Sequence, residues 1–182
     1  MNGEAPDAEA KAGVLKPLRP EPLIAALVGH GVDFIVVGGY AVAAHGFPRA
    51  TKDIDICPDP SEENLDRLAS ALAVLEANPI GLDEFKGEFD LESDLNGLKM
   101  GGNWTLLTKY GRLDVMQTFS FEGGDDGEGV YGDLASRTVE RDFLGHRVEF
   151  CSYEDLLQMK QAAGRAQDKV DIESLKAARG EL

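Results

Sequence analysis

The chain has 182 residues, 43% of them hydrophobic and 28% charged, a globular mix that excludes disorder throughout and allows one domain with a real core. Its 18 Lys and Arg face 33 Asp and Glu, a formal net charge of −15. A chain this acidic repels phosphate backbones and anionic lipid at long range, so neither stable nucleic-acid binding nor membrane docking is expected.

Residues 1–20 are rich in Ala, Glu and Pro without an apolar period, which predicts a loose tail ahead of a single domain over 21–182. Leu23, Ile24, Leu27 and Val28 predict a first helix over 21–30, ended by Gly31. The run Phe34, Ile35, Val36, Val37 reads as a short strand buried on both faces. Gly38 and Gly39 break it, and a short helix over 40–45 is closed by Gly46, Phe47 and Pro48. Residues 54–57 read as a second strand. Ser61 is placed to cap a helix reaching Ala77, with Leu65, Leu68, Leu72 and Leu75 at helical spacing. The stretch 78–102 mixes Gly, acids and scattered apolar residues and yields no element.

Residues 104–108 and 112–119 predict a hairpin turning at Tyr110 and Gly111. An acidic, Gly-rich loop over 123–129 follows, then a second hairpin, 137–143 and 146–150, turning near Gly145. Ser152 and Asp155 have capping-box spacing for a helix through Leu156, Leu157 and Met159. A last helix from about Gln167 carries Ile172 and Leu175. Helices and strands mix without βαβ alternation, so the expected class is α+β, or α/β with a mixed sheet. Cys57 and Cys151 stand far apart with no CxxC spacing, which fits a reducing, cytoplasmic setting. No apolar run is long enough to span a bilayer, and the first residues lack a secretory pattern.

The chemistry concentrates between residues 37 and 56. Asp53 and Asp55 alternate with Ile54 and Ile56, so a strand would put both carboxylates on one face. Carboxylates held side by side repel unless a cation or a proton lies between them. Mg²⁺ takes oxygen ligands, commonly one or two carboxylates plus substrate phosphates. Two acids pointing to water are the plainer alternative, since acid-x-acid pairs recur in this chain. Gly38 and Gly39, leading from a strand into a helix, allow close backbone approach and could cradle a triphosphate. A tight turn alone would also account for them.

The string GGYAVAAHGFPRATKDIDI resembles the nucleotidyltransferase superfamily with the DNA polymerase β type of catalytic fold. That family's motif is an apolar residue, Gly-Gly or Gly-Ser, nine to thirteen residues, then Asp-x-Asp between apolar residues. Val37 to Ile56 meets it, and the Arg49, Thr51, Asp53, Asp55 run is similar to the AbiEii-like branch, which includes many toxin-like proteins. The resemblance implies a mixed sheet flanked by helices, with C-terminal helices on the core. It implies a third carboxylate on a neighbouring strand, and Asp114, between Leu113 and Val115, is the favoured candidate, with a pairing to Arg112 or a surface acid as the alternative. It also implies nucleotide contacts from Gly38, Gly39, Arg49, Thr51, Lys160 and Arg165. Asp168 and Asp171 would orient the basic side chains or simply pair with them, lying three apart on one helix face.

The expected activity is therefore Mg²⁺-dependent transfer of a nucleoside monophosphate from an NTP to an acceptor, with pyrophosphate released. Asp53, Asp55 and Asp114 would hold one or two Mg²⁺ ions, and Asp114 would help deprotonate the acceptor. A small molecule, a protein side chain and an RNA end all stay open as acceptors, as does an antitoxin-like protein partner. The rival reading is a non-catalytic nucleotide-binding or protein-interaction member of the same fold. His45 is expected to pack near the short helix, and Cys57 to lie in the core.

Overall fold

The structure, a computed structural model, describes residues 17–80, 97–119 and 130–182. Helix α1 (Pro20–Gly29) starts on a proline, which a first turn tolerates because its missing N–H has no partner there. It buries Leu23, Ile24 and Leu27 and leads to β1 (Phe34–Val37), buried at every position. Helix α2 (Gly38–Ala44) follows without a loop, then β2 (Asp53–Pro58) and α3 (Glu62–Val74). A two-residue β3 (Asn78–Pro79) precedes β4 (Asn103–Thr108) and β5 (Gly111–Met116). Helix α4 (Val130–Ala135), the hairpin β6 (Val139–Phe143) and β7 (His146–Phe150), then α5 (Tyr153–Ala163) and α6 (Ala166–Ala178) complete the chain.

The strands form one mixed sheet in the order β3-β4-β5-β2-β1-β7-β6. β1 is antiparallel to β2 and parallel to β7, and β2 runs parallel to β5. Helices α1 and α3 pack on each other, α3 on β2 and α4 on β1, giving one continuous core that includes Ile54, Ile56, Leu68, Leu113 and Val115. Fully burying each of these aliphatic side chains stabilises the fold by roughly 2 kcal/mol. The expected α+β class with a mixed sheet is the observed one.

Several boundaries differ from the expectation, each for a local reason. The fold begins before residue 21: Leu18 packs on the core, and the Arg19 N–H donates to the Tyr110 carbonyl over 2.8 Å. Ser61 occupies the cap position of α3, but its side chain makes no capping bond; instead its own N–H is held by the Asp59 carboxylate at 2.7 Å. Ser152 does cap α5, its Oγ accepting from the Asp155 N–H and donating to Asp155 Oδ2 over 2.6 Å. β5 ends at Met116 rather than Phe119, and β3 and α4 are elements that the sequence pattern did not suggest. Most of the tail, the bulk of 78–102 and the acidic loop over 123–129 lie outside the described residues. No helix among the described residues is long and apolar enough to cross a membrane.

Candidate active site

The β2–β5 register builds the site. Asp55 lies opposite Asp114 and Asp53 opposite Arg112. Alternation along both strands then puts Asp53, Asp55, Arg112 and Asp114 on one face while Ile54, Ile56, Leu113 and Val115 fill the core on the other. A cleft of about 870 Å³ opens over these four side chains, a size typical of small-molecule sites. Burial, then the Asp53 and Asp114 charges, push the Asp55 carboxyl up to about 7, against the pull of the Gly39 N–H and of Lys160. Arg112 answers this crowding with a two-pronged contact: Nε and Nη2 donate to the two Asp114 oxygens over 2.9 and 2.6 Å. Its Nε also lies 3.7 Å from Asp53 Oδ2.

The glycines are required first by the protein's own side chains. Gly38 has φ +62°, and a Cβ there would meet Asp55 Oδ2 at 2.0 Å; one on Gly39 would meet Thr51 Oγ1 at 2.6 Å. Gly39 can therefore bring its N–H onto the Asp55 carboxylate. Thr51 Oγ1 donates to Asp53 Oδ1 over 3.0 Å. Gly38→Ala is accordingly expected to cost about 2 kcal/mol from left-handed backbone strain alone, and more from displacing Asp55. A denaturant melt checks this, and a variant as stable as the parent would contradict the close Gly38–Asp55 contact.

The opposite wall comes from α5 and α6. Asp171, fully buried, accepts from Arg49 Nε and Nη2 over 2.7 and 2.8 Å, from Lys160 Nζ over 2.7 Å and from Gln167 Nε2 over 2.9 Å. Burial raises its carboxyl pKa, but these donors outweigh that and hold it at about 2. Asp168 accepts from Lys160 over 3.1 Å and from Arg165 over 2.7 Å, and is likewise held below the usual carboxylate range despite burial. Thus ten of the eleven residues singled out from the sequence line one cleft, and Asp171 is buried behind it; Asp168 and Asp171 act on the basic residues, and Asp114 is paired with Arg112. Sequence reasoning passed over Arg112 and Gln167 as site residues. Arg112 stands two before Asp114 and Gln167 four before Asp171, so strand and helix periodicity were signals that could have found them.

Two other residues have structural work. His45 Nε2 lies 2.8 Å from the Cys151 carbonyl, so the ring donates there and ties the end of α2 to the start of α5. Cys57 and Cys151 are buried, and burial pushes both thiols up to about 12, out of nucleophile range.

The donor set bears on a divalent cation. Among the described residues, no three His, Cys, Asp or Glu side chains form a cation cage. Asp53 and Asp55 nevertheless suit Mg²⁺: they are hard oxygen donors on one strand face, and the strained charge on Asp55 is what a cation would relieve. Two carboxylates with phosphate oxygens completing the shell is a common Mg²⁺ arrangement. Asp114 could join only by sharing or losing Arg112.

This mixed sheet with its flanking helices is similar in fold to solved nucleotidyltransferase structures. The lincosamide antibiotic adenylyltransferase LnuA, in its lincomycin-bound structure, is similar over 90% of this chain and 99% of its own, with a TM-score of 0.59 at 16% identity. TM1012 of Thermotoga maritima, a candidate nucleotidyltransferase, matches over 92% and 98%, with a TM-score of 0.54 at 19% identity. The antibiotic-resistance factor ANT(2'')-Ia, in complex with adenylyl-2''-tobramycin, matches over 86% and 84%, with a TM-score of 0.52 at 15% identity. No protein-family model and no curated protein matches the chain.

Proposed function

We propose that the protein is a nucleotidyltransferase that moves a nucleoside monophosphate from an NTP onto a hydroxyl of a small-molecule acceptor. The observation that carries this reading is the facing of two walls across one cleft. Two strand carboxylates, Asp53 and Asp55, stand opposite Arg49, Lys160 and Arg165, with the Gly38–Gly39 turn between. The basic wall suits a triphosphate, and the Asp171 and Asp168 carboxylates fix its aim. Met116, Phe119 and Met159 add apolar lining that a small organic acceptor could occupy. That LnuA and ANT(2'')-Ia have been captured with an antibiotic or its adenylyl product supports the same acceptor class.

In the proposed reaction the acceptor oxygen bonds to the α-phosphorus, the bond to the β-phosphate bridge breaks, and pyrophosphate leaves. The acceptor proton passes to Asp114. Arg49, Lys160 and Arg165 hold the phosphates in line and take up charge that grows on the departing pyrophosphate. A Mg²⁺ ion held by Asp53 and Asp55 would supply further neutralisation of the phosphate charge. Within the fold, the Arg49, Thr51, Asp53, Asp55 run supports placement in the AbiEii-like branch, and an antitoxin-like partner belongs to that placement alone. One observation favours a non-catalytic nucleotide-binding scaffold instead: Arg112 engages both oxygens of Asp114.

Thermal melts test the reading. A ligand that binds only the folded chain stabilises it by about 2.7 kcal/mol at a hundredfold excess over Kd. Mg²⁺ with an NTP is expected to raise Tm well beyond the NTP alone, for at least one of the four bases. No shift for any base at millimolar Mg²⁺-NTP would contradict nucleotide binding in this cleft.

A further inference from the structure

Arg112 is a strong cation set among the carboxylates of the cleft. It projects from β5 beside Asp114, in register with Asp53, and its fork takes both Asp114 oxygens while standing 3.7 Å from Asp53. A guanidinium and a divalent ion are alternative counter-ions for the same carboxylates. Both at once would set two cations against each other in a partly dehydrated cleft. The Arg112 side chain is also 37% exposed and lines the same cleft as Arg49, Lys160 and Arg165, so the fork is free to turn toward phosphate oxygens, which match it as well as a carboxylate does.

We propose that Arg112 is a positioning residue that competes with a divalent cation for Asp114 and turns to the nucleotide's phosphates when cation and NTP bind together. This rests on the nucleotidyltransfer reading above and deepens it. The cation alone has to displace a bidentate ion pair and leaves the guanidinium without a partner. The cation arriving with an NTP gives that guanidinium a new anion. Metal binding at Asp114 is thereby made dependent on nucleotide.

Mn²⁺ affinity of the full chain, followed by electron paramagnetic resonance of the free ion, tests this without any turnover. Without nucleotide, Arg112→Gln should bind Mn²⁺ about tenfold more tightly than the parent, the worth of one charge-assisted hydrogen bond. Arg112→Lys, which keeps the charge but cannot hold both oxygens, should also bind Mn²⁺ more tightly than the parent, by a smaller factor. With Mn²⁺ and an α,β-methylene NTP the order should reverse, both variants retaining the nucleotide less well than the parent. Equal Mn²⁺ affinity in parent and Arg112→Lys would reduce Arg112 to background charge and overturn the proposal, and the lysine variant decides alone should Arg112→Gln not fold. Nucleotide retention unchanged by both variants would overturn it too. Asp55→Asn separates the two levels of argument. Mn²⁺ binding that Asp55→Asn weakens, yet that is the same with Arg112 or Lys, overturns the competition only; Mn²⁺ binding indifferent to Asp55→Asn, or absent from every variant, overturns the site reading itself.

Discussion

Asp55→Asn is expected to abolish nucleotidyl transfer and, in the absence of divalent cations, to raise the melting temperature above that of the parent at pH 8. The two effects have one cause. Burial and the Asp53 and Asp114 charges lift the Asp55 carboxyl from 3.8 to about 7. The folded chain therefore binds a proton there more tightly than the unfolded chain does. Stability contributed at this site is highest near pH 4 and below, falls as pH rises from about 4 to 7, and stays lost above that. The amide is nearly isosteric with the protonated acid and keeps an acceptor for the Gly39 N–H, so the variant escapes the loss. A gain on the order of 2 kcal/mol at pH 8, vanishing near pH 4, is the expected melt signature. Transfer should fall at least about a hundredfold, because catalysis of this type rests on fixed charge around the phosphates. A variant that melts below the parent at pH 8 would make Asp55 a structural acid and reverse this assignment.

Asp171→Asn should have the largest destabilising effect. The carboxylate is fully buried and neutralises Arg49 and Lys160, the latter itself only 5% exposed. Removing the charge leaves two cations short of a counter-ion, and breaking a buried pair this way costs about 3–5 kcal/mol. The acid dependence runs opposite to that of Asp55. Donors that overcome burial hold Asp171 at about 2 in the fold against 3.8 unfolded. Its contribution is complete above about pH 4 and is lost as pH falls toward 2. Urea melts at pH 7 and pH 2.5 should show the gap between parent and variant narrowing with acid. Nucleotide binding should weaken as well, because Arg49 and Lys160 lose the group that aims them. An unchanged urea midpoint at pH 7 would show that Arg49 and Lys160 find other partners.

The legible parts of this molecule were those written in short-range periodicity. The apolar run at Phe34–Val37 and the alternation in Asp53–Ile56 fix β1, β2 and the face on which the carboxylates stand. The Gly38–Gly39 pair marks the turn from β1 into α2, and the immediate demand on it comes from Asp55 and Thr51. What stayed hidden depends on contacts distant in sequence. Arg49 and Asp171 are 122 positions apart, and no local pattern joins them. The Asp55–Asp114 register exists only once β5 has docked in parallel beside β2. Helix α4 carries a glycine, Gly132, and spans six residues, too short for a helical period to emerge. Ser61 had the residue type of a cap, but Asp59 took over its N–H instead.

Incubation with NTP labelled at either the α- or the γ-phosphate, with Mg²⁺ and a panel of hydroxylated small molecules, tests the central claim most directly. Nucleotidyl transfer predicts that α-label appears on an acceptor while γ-label leaves as pyrophosphate, and that both events vanish in Asp53→Asn and Asp55→Asn. Transfer of the γ-label to an acceptor, or α-label transfer that survives both substitutions, would contradict it.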